Sequence, residues 1–231
     1  MKRIVGYVFA LVVLCGIAYA VYVLVPRVPT LKTGSAPATA TSTEVTVQEK
    51  LVTESTDAYK IDAHYPQSGI LAFDAEVQAV IENALTEFRA YPANPRDSST
   101  PQNELVSSYN SLYIGPDIAS VALSISEYTG GAHGNTVIVG VNVDRTTGKE
   151  LALDDALALI GKTLPQVADA SLVQLKANLG EDLTFPEGAS AKPENYGTFL
   201  VSADRVTFVF NNYQVAPYSA GQQQVWFKRV R

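Results

Sequence analysis

Cysteine is almost missing from this chain. The one cysteine, Cys15, lies in an N-terminal apolar run, so the remainder has no disulfide and no thiol chemistry. Histidine is nearly as scarce, with His64 and His133 the only two. Positive charge is also short. Seventeen Lys and Arg face 23 Asp and Glu, a net charge of −6, and no face of clustered basic residues is visible. That balance disfavours nucleic acid and mildly favours basic partners. Charged residues make up 17% against 47% hydrophobic, which fits a globular protein carrying an apolar anchor.

That anchor is legible at the start. Met1-Lys2-Arg3 precede an apolar run from Ile4 to Val25, closed by Pro26. The run is about long enough to cross a bilayer as a helix, and its flanking charges favour a short cytoplasmic end with the rest outside. Ala18-Tyr19-Ala20 resembles a signal-peptide cleavage site, but the apolar run continues past it, which favours an uncleaved anchor. Residues 1–26 are therefore expected to be a single-pass anchor in the cell membrane, with the C-terminal part extracytoplasmic. Residues 27–52 are rich in Pro, Thr, Ser and Ala and read as a disordered linker.

The rest divides into two expected subdomains, 53–126 and 127–231. In the first, Asp57 to Tyr65 alternates as a strand with Tyr59, Ile61 and Ala63 on one face, leaving His64 on the solvated side. Asp74 reads as the cap of a helix whose stripe is Val77, Val80, Ile81, Ala84, Leu85 and Phe88. Strands follow over 104–114 and 118–128, the latter with Val121, Leu123 and Ile125 inward and Ser120, Ser124 and Ser126 on a wet face. In the second subdomain, 137–143 alternates as a strand and 144–149 is a hairpin tip. Asp154 and Asp155 open a short helix, and a longer one starts at Thr163 with Pro165 early and Gly180 at its end. Strands return over 196–201, 206–211 and 222–230. This clustering predicts an α+β fold: a mainly antiparallel sheet with helices packed on one side, in two small subdomains preceded by one transmembrane helix.

Four stretches together resemble a known envelope architecture. They are Tyr59-Lys-Ile-Asp-Ala-His-Tyr-Pro66, Tyr128-Thr-Gly-Gly-Ala-His133, Thr147-Gly-Lys-Glu-Leu-Ala-Leu-Asp-Asp155, and the run from Val206 to Gly221. Their order and spacing are similar to the RsiV/PdaC type of extracytoplasmic domain. That domain is found in lysozyme-sensing anti-sigma factors and beside the catalytic domain of peptidoglycan deacetylases. The resemblance implies a place in the cell envelope, with a lysozyme-like muramidase or peptidoglycan as partner. The chain departs from both types. With three residues before the expected anchor, no sigma-binding domain is expected, and no His-x-x-x-His occurs for a deacetylase zinc site.

The expected function is therefore a membrane-anchored, non-catalytic envelope-binding module, without cofactor or metal. Its candidate binding residues are His133, Tyr128, Asn212, Tyr213 and Tyr218, since aromatic faces joined to amide and hydroxyl groups suit carbohydrate. The alternative is a cell-wall hydrolase or deacetylase-like enzyme using His133 as a base, with Glu127, Asp154 or Asp155 as its acid. No nucleophile is identifiable for that chemistry. Asp154 and Asp155 also stand where a helix start favours anions.

Overall fold

A computed structural model describes residues 45–93, 101–181 and 184–230. The expected anchor over residues 4–25 and most of the expected linker lie outside the described residues. Among the described residues, no helix is long and apolar enough to cross a membrane.

Five strands form the first sheet in sequence order: β1 (Gln48–Ser55), β2 (Tyr59–Gln67), β3 (Asn103–Ile114), β4 (Ile118–Tyr128) and β5 (Asn135–Asp144). All pairings are antiparallel except β2–β3, which is parallel. A parallel pair needs a long crossover, and helix α1 (Leu71–Arg89) supplies it. Its buried residues, Phe73, Val77, Ile81, Leu85 and Phe88, follow the three-to-four-residue spacing of one helical stripe. They pack on Ile61, Ala63, Leu105, Val121, Leu123, Val141 and Val143 from the strands. Each Val, Leu, Ile or Phe among them contributes about 1.5–3 kcal/mol of transfer free energy when fully buried.

The second half begins with α2 (Leu153–Ile160) and α3 (Leu164–Leu179) and closes with a three-stranded antiparallel sheet, β6 (Phe199–Val201), β7 (Arg205–Phe210) and β8 (Gln223–Lys228). Phe199, Val206, Phe208, Phe210, Val225 and Phe227 share a core with Ala156 and Ile160 of α2 and Val167 and Leu175 of α3. Tyr196 is fully buried in the same core, and its hydroxyl donates to the Ala189 carbonyl at 2.7 Å.

The two sheets meet along a polar seam. The outer side of β6, away from β7, presents the Phe199 carbonyl and the Val201 N–H, as alternation in an antiparallel pair requires. Asn142 of β5 donates its amide to the Phe199 carbonyl at 2.8 Å, and Ser120 of β4 accepts from the Val201 N–H at 3.0 Å. Ser120 also donates to Asn142 at 2.7 Å. Both residues are buried, and every polar group in this set is paired. Gly140 permits the close approach: a β-carbon there would lie 2.2 Å from the Phe199 carbonyl oxygen. Ala122, Ile138, Leu200 and Val209 add a small apolar cluster beside the seam.

Several expectations change. Residues 48–52 are strand, the start of β1, and its mostly exposed pattern is why an edge strand read as linker. The first sheet runs on to Asp144, so β5 belongs with β1–β4 and no boundary falls at 126/127. The helices do not share one side: α1 covers the first sheet, while α2 and α3 pack on the second. Ser120 is 0% exposed because the second sheet covers the face that alternation alone marks as wet. Helix α1 starts at Leu71, ahead of Asp74. The Asp74 carboxylate instead accepts from the N–H groups of Ser68 and Gly69, both at 2.8 Å, and so fixes the turn entering the helix.

Candidate functional site

The β4–β5 connection (residues 129–134) and the β7–β8 connection (residues 211–222) come together at the end of the first sheet. Gly130 and Gly131 have φ of 108° and 93°, a region that a β-carbon disfavours. They turn the chain out of β4 and bring His133 back over the sheet end. The His133 Nδ1 lies 2.8 Å from the Gly134 carbonyl oxygen, and the Tyr218 hydroxyl donates to that same oxygen at 3.0 Å. A carbonyl only accepts, so Nδ1 is the donor in that contact.

The rings then line up. His133 stacks on Tyr218 with centroids 4.3 Å apart and planes 26° from parallel. Tyr213 extends the row at 5.3 Å from Tyr218. Tyr213 is 57% exposed and is one of two described non-glycine residues with positive φ, at 66°. Its backbone adopts an uncommon conformation and holds a large ring in solvent. Tyr128 stands nearby and donates to the Gly131 carbonyl at 3.2 Å. Asn212 donates its amide to the Thr136 carbonyl at 3.3 Å. All five sequence-selected residues therefore fall in one place, on two loops that meet.

Two further residues hold that place together. The side chain of Asn211 mimics a strand neighbour: it accepts from the Ile138 N–H at 2.7 Å and donates to the Ile138 carbonyl at 3.3 Å. Gln222 joins Asn212 on the Thr136 carbonyl at 3.3 Å. These amides cover the outer edge of β5, which would otherwise offer unpaired strand groups. Sequence alone does not single out Asn211. The amide-rich run from Asn211 to Gln214 is the only signal for it, and that run does not say which amide pairs with Ile138.

Beside the ring row, the first-sheet face opposite α1 stays open. Glu104, Val106, Ser126, Tyr128, Thr136 and Tyr218 line a shallow cleft of about 180 Å³ there. Glu127, one residue away, points to the α1 side. Burial pushes its carboxyl above the usual carboxylate range, and the negative charge of Glu87 adds to that. Among the described residues, no carboxylate hydrogen-bonds to His133. Asp155 accepts from the Ala152 N–H and from Lys149, both at 2.9 Å, which lowers its pKa and assigns it to the start of α2. Also among the described residues, no group of three or more His, Cys, Asp or Glu side chains is placed to hold a metal.

His64 lies on the wetter face of β2, opposite Ile61 and Ala63, and is paired there. Its Nδ1 lies 3.0 Å from Glu49 of β1 and its Nε2 lies 3.2 Å from Asp62. The hydrogen bond that the imidazole donates to the Glu49 carboxylate is the main cause holding its pKa above the ordinary value.

Two family models match this chain in succession. One described as "Deacetylase PdaC" covers residues 52–136, and one described as "Protein of unknown function (DUF3298)" covers residues 155–229. The chain is 25% identical over 170 residues to the peptidoglycan-N-acetylmuramic acid deacetylase PdaC of Bacillus subtilis, which spans 72% of this chain and 36% of that protein. It is 26% identical over 158 residues to the immunogenic protein MPT64 of Mycobacterium tuberculosis, spanning 66% of this chain and 69% of that one. Among solved structures, a DUF3298-family protein of Bacteroides fragilis superposes with a TM-score of 0.58 at 17% identity, covering 80% of this chain and 90% of that one. One from Pseudomonas aeruginosa gives 0.54 at 16%, with the same coverage. The chain is thus similar to PdaC along its first sheet and to DUF3298 proteins along its second, with most of β5 between the two matched segments.

Proposed function

We propose that this chain is a membrane-anchored, extracytoplasmic module of the RsiV/PdaC kind that binds the glycan of peptidoglycan without acting on it chemically. The observation that carries the reading is the row His133, Tyr218 and Tyr213 standing beside an open, polar strand face. Sugar rings offer apolar C–H faces and a rim of hydroxyls. Aromatic side chains cover the first, and Glu104, Ser126 and Thr136 supply partners for the second. The B. subtilis relative is named for an activity on peptidoglycan, which brings that polymer forward as the ligand here. The apolar run over residues 4–25 would hold the module at the outer membrane surface, within reach of the wall. A binding role also suits His133, whose ring is engaged by Tyr218 and the Gly134 carbonyl rather than by an acid.

Retention of the full chain on purified sacculi tests this, with immobilised lysozyme as a parallel arm. Retention on sacculi is expected, and Tyr213→Ala, which removes an exposed ring, should weaken it about three- to tenfold. No retention on sacculi overturns the reading. Retention on lysozyme alone would transfer the role to a muramidase partner.

A further inference from the structure

A second cavity lies on the opposite face of the first sheet, between α1 and the ends of β4 and β5. Val80 and Ala84 of α1 and Ile125, Val137 and Val139 of the strands line a groove of about 350 Å³. Val137 is 39% exposed into it, which is unusual for a β-branched residue on a core-facing strand position. One turn further along α1 stands Glu87, and across from it stands Glu127. Among the described residues, neither carboxylate has an ion-pair or hydrogen-bond partner. The volume suits one extended side chain or a small ligand, and is too small for a helix.

We propose that this groove binds an aliphatic primary amine. The alkyl stem would lie along Val80, Ala84, Val137 and Val139, with its ammonium between Glu87 and Glu127. A compact ammonium on a flexible stem fits such a slot better than a planar guanidinium. It would also neutralise the repulsion from Glu87 and offset, with its opposite charge, the burial that raises the Glu127 carboxyl. Asn83 and Asn135, at the same end, can bond peptide groups flanking the amine.

The position of the groove names the source of the amine. Glu127 and Asn135 are partners in the last β4–β5 pair before the turn, and they border both this groove and the cleft beside Tyr128 and Tyr218. A ligand with a sugar portion and an amine-bearing peptide can pass over that end of the hairpin and occupy both. The stem peptide of peptidoglycan, with its diamino-acid side chain, is such a ligand. The choice of source rests on the glycan reading above; the amine chemistry does not.

Isothermal titration of the full chain separates the two. Three probes are needed: a disaccharide-peptide with a free diamino-acid amine, the same compound acetylated on that amine, and the disaccharide alone. The free amine should bind about tenfold or more tighter than its acetylated form. In the double variant Glu87→Gln, Glu127→Gln that preference should vanish, while the single variant Glu87→Gln, which lies outside the glycan cleft, should weaken the preference and leave affinity for the disaccharide unchanged. Removing two facing negative charges should leave the melting temperature equal or higher, so loss of preference would not reflect unfolding. Equal native affinity for both peptides, no binding of either, or a preference that survives in the double variant overturns the proposal. An amine preference without disaccharide binding sustains it and removes the glycan cleft instead.

Discussion

Asn211 shows how much one side chain can organise here. Its amide gives the buried Ile138 both an acceptor and a donor, the two bonds a neighbouring strand would supply. Asn211→Ala would leave both Ile138 groups unpaired and is expected to cost about 1–3 kcal/mol, read from the urea midpoint. Asn211→Asp keeps the acceptor but sets a carboxylate against the Ile138 carbonyl, so it should recover little of that loss. An Asp variant as stable as the native chain would show that the pairing does not matter. The neighbouring Asn212, Tyr213 and Tyr218 were legible in the sequence as loop residues with sugar-compatible groups. Asn211 was not, because it is chemically identical to Asn212. Only the approach of the loop to β5 decides which of the two pairs with Ile138 and which with Thr136.

The edge strand β1 depends on side-chain pairs as well as on its ladder with β2. Arg89 at the end of α1 donates to Glu54 of β1 through its Nε at 3.2 Å, and Tyr59 bonds the same carboxylate at 3.1 Å. His64 joins Glu49 of β1 to Asp62. The His64 pKa is raised in the fold, so this attachment is complete below the unfolded value near 6.5 and is lost as pH rises through the folded value. Proteolysis within β1 should therefore become faster, relative to an unfolded control, as pH rises through the raised His64 value. In His64→Gln that pH dependence should be absent; an unchanged profile would assign it elsewhere. The helices were easier to foresee than this strand. The α1 stripe and the Thr163–Pro165 start of α3 follow from local spacing and capping. β1 has little buried face, so its Leu51 and Val52 lack the alternation that marks a half-buried strand.

The α+β class and its mainly antiparallel sheet followed from the clustering of strands and helices, but the way the halves join did not. A serine-bearing strand face looks the same in sequence whether water or a second sheet covers it. Here Ser120 and Asn142 meet a strand edge more than fifty residues away along the chain, at separations of 81 and 57. The two matched family segments leave residues 137–154 between them, yet β5 lies mostly in that interval and carries Ile138, Gly140, Asn142 and the core residues Val141 and Val143. A fragment ending at residue 136 should therefore fail to give a cooperative melting transition by circular dichroism, whereas extension to Asp144 should restore one. A cooperative transition in the shorter fragment would show that β5 is dispensable to the first sheet. The seam also bears on the order of events during synthesis. β1 to β5 can close over α1 while β6 has yet to be made, leaving Ser120 and Asn142 bonded to water in the meantime. A nascent half-molecule with a hydroxyl and an amide on its waiting face offers less to aggregation than a greasy one. The late sheet, on arrival, trades those waters for Phe199 and Val201, and only one alignment of β6 satisfies both.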